Sequence, residues 1–193
     1  MESTKPRIDR QSLGKLEMDG IYASMGAGGI LLFLEMIAAG FTGGGLITPL
    51  VYAGSIIMQE RAFEPLPLIP VLAGALVHIA ACSVFGFFYG VVASSESLCA
   101  RENYKTQLAV GAVFGAIIYA VNFHVIARFM YPWFLGTGLV LQFVLHVLAY
   151  GVPLAVGYAY LRRWRRSLPN PPSPIGGPDD EVVHGQPVTK ESL

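Results

Sequence analysis

The sequence predicts an all-α membrane protein with four transmembrane helices, and three observations predict it. The chain has 193 residues, 53% hydrophobic and only 13% charged, with a mean hydropathy of +0.53; a soluble domain carries about 25% charged residues. Four apolar stretches are each long enough to span a bilayer, which takes about 20 residues. The basic residues gather on one side of the resulting four-helix arrangement.

Residues 1–19 hold four basic and four acidic residues and no apolar core. That is too long and too acidic for the n-region of a cleaved signal peptide. The apolar stretch 20–41 is therefore expected to be retained as helix one. Stretches 69–92, 108–130 and roughly 134–161 supply helices two, three and four. Between helices one and two, residues 45–58 (GLITPLVYAGSIIM) are apolar but interrupted by Pro49. A stretch that short is more often interfacial or re-entrant than spanning. It reads as a short outer element that begins near Pro49, because proline suits a helix's first turn. The organisation is thus an N-terminal segment 1–19, a four-helix transmembrane domain 20–161, and a tail 162–193, basic and then disordered. From Leu168 the tail is rich in proline and glycine and poor in large apolar residues, a composition that cannot build a core.

Lys5, Arg7, Arg10 and Lys15 precede helix one, and Arg101 and Lys105 lie between helices two and three. Arg162, Arg163, Arg165 and Arg166 follow helix four, and Lys190 lies in the tail. That places eleven of thirteen basic residues on one side, with Arg61 and Arg128 on the other. By the positive-inside rule both termini are expected in the cytoplasm, as for a multi-pass protein of the cell's inner (plasma) membrane. A fifth span at 45–58 would move the arginine cluster outside, so the bias argues against it. Net charge is zero, and nothing argues for nucleic acid. Cys82, in an apolar stretch, and Cys99, in a charged loop, make no disulfide framework and are expected to be free thiols.

The chain carries a hint of duplication. Aligned on their glycines, GGILLFLEMIAAG of helix one and GAIIYAVNFHVIA of helix three set Glu35 opposite Asn122. VHIAACSVFGFFYG of helix two and LHVLAYGVPLAVGY of helix four set His78 opposite His146. Pro49 and Pro132 follow the first helix of each half. Such halves are two helical hairpins running in the same direction, related by an axis along the membrane normal. Chance similarity among apolar helices is the competing explanation.

Glu35, His78, Asn122, Gln142, His124 and His146 all sit inside predicted spans. From the rise per residue, Glu35 and His124 lie about 10 Å below the outer ends of their helices, and His78 and His146 roughly 13–15 Å below theirs. These groups therefore gather in the outer half of the bilayer, where ionisable side chains usually face protein or water. Helical phase refines the picture. Helix two repeats Gly74, His78, Cys82, Gly86 and Gly90 every four residues. Stripes of Ser24, Gly28, Glu35 and Ala39, of Gly111, Gly115, Tyr119 and Asn122, and of Gln142, His146, Ala149, Pro153 and Gly157 mark the other helices. Small residues at this spacing let helices approach closely, and polar groups then bond across the interface. The expectation is a central polar cluster of Glu35, His78, Asn122, Gln142 and His146. His124 and Arg128 fall on the opposite face, either snorkelling to the headgroups or touching another subunit.

The cluster reads either as interhelical glue or as a functional site. Glu35, His78, Cys82 and His146 are its metal-ligand candidates, although a buried free cysteine usually just packs. Met25, Met36 and Met58 are too scattered for a copper path. Tyr131, Trp133 and, at the opposite face, Trp164 suit interfacial aromatic belts. No phosphate loop, GxSxG, HExxH or CxxC is present, which argues against an enzyme built on those motifs.

The segments GALVHIAACSVFGFFYG and VNFHVIARFMYPWF, with TPL between helices one and two, give the chain a resemblance to small bacterial four-span membrane proteins of unknown function, over roughly residues 20–161. The resemblance implies a bacterial inner-membrane protein and no particular reaction. Three functional readings stay open. One is a non-enzymatic membrane subunit or scaffold, embedded in the lipid bilayer with other membrane subunits or further copies of itself. The second is a small proton or metal-cation transporter or channel. The third is a haem- or metal-binding membrane protein with His78 and His146 as ligands.

Overall fold

Apolar side chains cover the long helices even where no protein touches them: Phe33, Leu76, Ile117, Val140 and Leu148 are all exposed. Helices are apolar all round when lipid surrounds them, since the backbone polar groups are already paired internally. The computed structural model describes residues 10–65, 68–94 and 103–167. The start of the N-terminal segment, Cys99, Arg101 and the tail from Leu168 lie outside these residues.

The described residues form α1 (Arg10–Phe41), a short α2 (Thr48–Met58), α3 (Leu68–Ala93), α4 (Tyr104–Met130) and α5 (Leu139–Ser167). The four long helices are long and apolar enough to cross a membrane. Single 3-10 turns at Gln59–Phe63 and Pro132–Gly136 finish α2 and join α4 to α5.

The boundaries have local causes. α1 starts ten residues before the apolar stretch, so much of the polar N-terminal segment is helical. α2 begins where expected, with Pro49 in its first turn. Asn103 caps α4, its side chain accepting from the Lys105 N–H at 3.0 Å. α5 begins at Leu139 rather than near residue 134, because Gly138 adopts φ +82° and breaks the helix from the preceding turn. It then runs on through Ser167, with Arg165 and Arg166 in the last turn, where basic side chains complement the helix dipole.

The helices run alternately up and down between two ends. α2 and the 131–138 loop share one end, tied by the Trp133 Nε1–H donating to Ser55 Oγ at 2.8 Å. The start of α1 and the finish of α5 share the other, tied by Arg165 and Asp19. α1 is central, with α3 on one side and α5 on the other, while α4 packs along α5 and α2 along α3. Glycines set the close approaches. A Cβ on Gly86 would stand 2.6 Å from Gly20 O and 2.7 Å from the Ile21 Cα. Gly111 and Gly115 meet Gly151 in the same way across α4 and α5. α2 seats on α3 where Gly54 faces Pro70 and Gly74 faces Leu50.

Two stretches wind as π-helix, Ala120–Ala127 in α4 and Leu145–Gly151 in α5. The second has a plain cause. Pro153 has no N–H to give the Ala149 carbonyl, and its ring crowds that turn; widening the turn just before it relieves both. The two stretches face each other through Phe123 and His146, whose ring centroids are 5.6 Å apart.

The two hairpins, α1–α3 and α4–α5, are not packed alike. Among the described residues the π windings occur only in the second, and α2 packs mainly along α3 of the first. Parallel two-fold repeats would match the α1–α5 contact with an equal one between α3 and α4. The α1–α5 contact runs from Asp19–Arg165 through Ser24–Tyr150 to Glu35 and Gln142. α3 and α4 meet where the ring of Tyr89 abuts Phe114, centroids 5.1 Å apart.

Candidate functional site

The expected central cluster is distributed over three places. The first is a cleft of about 480 Å³ at the α2 end, between α1, α2 and α5. Glu35 and Gln142 lie in it beside Thr42, Thr48, Tyr52 and Phe134. α1 and α5 place this pair, with the Gln142 side chain beside the Glu35 carboxyl. Its Oε1 is buried without a hydrogen-bond partner. A carboxyl group and an unused amide oxygen at one opening form an acceptor-rich site suited to a proton or a cation.

The second place is the α1–α3 seam. His78 Nε2 lies 3.1 Å from Gly28 O and donates to it, and Cys82 Sγ is 3.6 Å from the same nitrogen. Both groups are thereby occupied inside the seam. The third place lies between α4 and α5. His146 Nδ1 donates to the Gln142 carbonyl of its own helix at 2.8 Å. Its ring is held edge-on by Phe123 and by Tyr119, whose centroid is 6.1 Å away.

Asn122 sits at the margin, half-buried, while Phe123 beside it is buried. The reason is the π winding. A wider turn carries the buried stripe of α4 through Gly111, Gly115, Tyr119, Phe123 and Ala127, past the position that a regular helical period assigns to Asn122. His78 and His146 lie in separate seams rather than facing each other. The metal-ligand candidates Glu35, His78, Cys82 and His146 do not converge, and among the described residues no three His, Cys, Asp or Glu side chains do. His124 and Arg128 are exposed on the outside of α4, and the ring edge of His124 rests against Tyr119 at 5.4 Å. Tyr131 and Trp133, expected in an interfacial belt, are half-buried and bonded to α2, through Ile56 O at 3.3 Å and Ser55. Trp164 is exposed.

Two polar contacts were not foreseen. Asp19 is fully buried, and its Oδ1 accepts from Arg165 Nε at 2.6 Å. Ser24, also fully buried, donates to the Cys82 carbonyl at 2.6 Å and meets the Tyr150 hydroxyl at 2.7 Å, so one side chain joins α1, α3 and α5. The only sequence signals were an acid next to the apolar run and a serine on the glycine stripe. Neither names a partner more than a hundred residues away. Comparison with known protein families, curated proteins and solved structures finds no match.

Proposed function

We propose that this chain is a non-enzymatic membrane subunit or scaffold that packs, through the outer face of α4, against another membrane-embedded chain or a second copy of itself. The observation that carries the reading is His124, exposed on that face among Val121, Val125 and Phe129, which are exposed as well. An ionisable ring facing lipid is costly, and a covering helix with a hydrogen-bonding group removes the cost. Arg128, near the helix end, reaches the headgroups on its long stem. His124 lies about 9 Å from the last residue of α4 along the helix axis, too deep for its short side chain to do the same. The polar residues inside the bundle are mostly engaged in joining helices. The positive-inside bias and the resemblance to small bacterial four-span proteins support an inner-membrane location with both termini cytoplasmic. Changing His124 and Arg128 together to leucine should release co-purifying chains or dissociate an oligomer while the monomer's melting stays within about 0.5 kcal/mol of wild type. Unchanged migration on a native gel with unchanged partners would sink the reading.

The cleft favours a second reading, a small proton or metal-cation transporter or channel centred on Glu35 and Gln142. Beneath it the buried Leu31, Ala149 and Leu154 close the bundle, so conduction would need the helices to part. Flux into vesicles containing the purified protein, lost on Glu35→Gln, would replace the first reading with this one. A haem held between His78 and His146 gains no support from their separate seams; an absorption spectrum and metal analysis of the purified protein test it directly.

A further inference from the structure

At the end opposite α2, a second cleft of about 210 Å³ opens between α3, α4 and α5. Its floor is apolar, with Tyr89, Val110 and Ala155, and its mouth carries Arg162, Arg163 and Arg166. No acidic side chain among the described residues lines it. The nearby Asp19 is engaged by Arg165, so that acid does not serve the cleft. Arg162 is held in place over the ring of Tyr158, 5.8 Å from its centroid. Gln107 also lines the cleft, with a buried Oε1 that has no hydrogen-bond partner. The exposed Tyr104, Tyr160 and Trp164 ring the same end of the bundle, and exposed aromatics of this kind sit at headgroup depth.

We propose that this cleft binds the phosphate of an anionic phospholipid whose headgroup carries hydroxyls, such as a glycerol headgroup. Guanidinium groups match phosphate oxygens in a fixed fork. Basic pockets between membrane helices are a recurrent setting for such headgroups. Gln107 Oε1 is the acceptor a headgroup hydroxyl needs, and the apolar floor receives the start of the acyl chains. The inference stands apart from the subunit reading, which concerns α4 at the other end.

The test is native mass spectrometry of the full chain with phosphatidylglycerol or phosphatidylcholine, repeated with excess inorganic phosphate. Wild type should retain phosphatidylglycerol at least roughly tenfold better than phosphatidylcholine, the scale expected of a hydrogen-bonded charge pair. Arg162→Gln with Arg163→Gln should abolish the preference, and Arg61→Gln, at the opposite end, should leave it intact. Gln107→Leu keeps all the arginines and should weaken phosphatidylglycerol alone, which guards against a double variant that fails to fold. Equal retention of the two lipids by wild type overturns the proposal, as does a preference that survives the double arginine change. Displacement of the lipid by millimolar phosphate would assign the site to free phosphate and overturn the lipid source.

Discussion

α1 meets its two neighbours by different physics. Against α3 the seam is chiefly steric: Gly20, Gly86 and Gly90 let the backbones close until a single methyl group has no room, and its hydrogen bonds, from Ser24 and His78, go to backbone carbonyls. Against α5 it is chemical: Asp19 with Arg165, Ser24 with Tyr150 and Glu35 with Gln142 are spaced along the contact. Lipid gives helices no hydrophobic reason to associate, so close packing and interhelical hydrogen bonds are the two devices available. The same helix leans on close packing toward α3 and on side-chain pairs toward α5. A steric seam tolerates no added volume, whereas a chemical seam fails by subtraction.

The largest effect should come from adding volume to the steric seam. In Gly86→Ala the new methyl meets α1 at close range, Gly20 O at 2.6 Å among its contacts, so relief requires moving a helix. A loss of about 3 kcal/mol is expected. Gly29, on the same helix α1 but with nothing within 4 Å of an added methyl group, supplies the contrast: Gly29→Ala should stabilise by about 0.5–1 kcal/mol. Reversible unfolding in mixed detergent reads both. Equal responses would erase the distinction between seam and surface.

Next comes subtraction at the buried end of the chemical seam. Asp19→Ala removes the acid paired with Arg165, whose side chain is 37% exposed while Asp19 is fully buried. Breaking a fully buried pair costs more, but an exposed partner regains water, so a loss of about 2 kcal/mol is expected. Asp19→Asn keeps the shape and one acceptor and should lose less. If both variants unfold like wild type, the pair is a surface contact with no hold on the bundle.

The steric seam was legible in the sequence and the chemical one was not, for a physical reason. Glycine at a four-residue period is a local signal: the stripe that holds Gly86 and Gly90 was marked for close helix approach, and the helix they approach is α1. Hydrogen-bond partners such as Asp19 and Arg165 are far apart in sequence and share no pattern. The four spans and the start of α2 at Pro49 were legible because they follow from length, hydropathy and proline's fixed φ. Phase arguments failed where the winding changed: the π stretch in α4 put Phe123 in the core and left Asn122 beside it. The candidate site was half legible. Glu35 and Gln142 do share a cleft, but depth and facing alone could not distribute His78 and His146 to different helix pairs.

Ser24 lies where the two seams meet, and it offers the finest test of the contrast. Its hydroxyl is buried and reaches Cys82 O on α3 and the Tyr150 hydroxyl on α5. Ser24→Ala adds no volume, so the steric seam should accept it, and the loss should come from the α5 side. Removing the hydroxyl leaves the Tyr150 O–H buried without this partner, which costs about 1 kcal/mol. Tyr150→Phe removes the other half of the same bond and should cost a similar amount, whereas the double variant leaves no orphaned group. The cycle should therefore show a coupling of about 1 kcal/mol, with the double variant less destabilised than the sum of the singles. Additivity would mean that the Ser24–Tyr150 contact contributes nothing to holding α1 against α5. Repeating the cycle with Gly86→Ala in the background sharpens the point. If the seams act separately, the coupling stays the same; if closing one seam is what brings the other's groups into reach, it disappears when the backbones are forced apart.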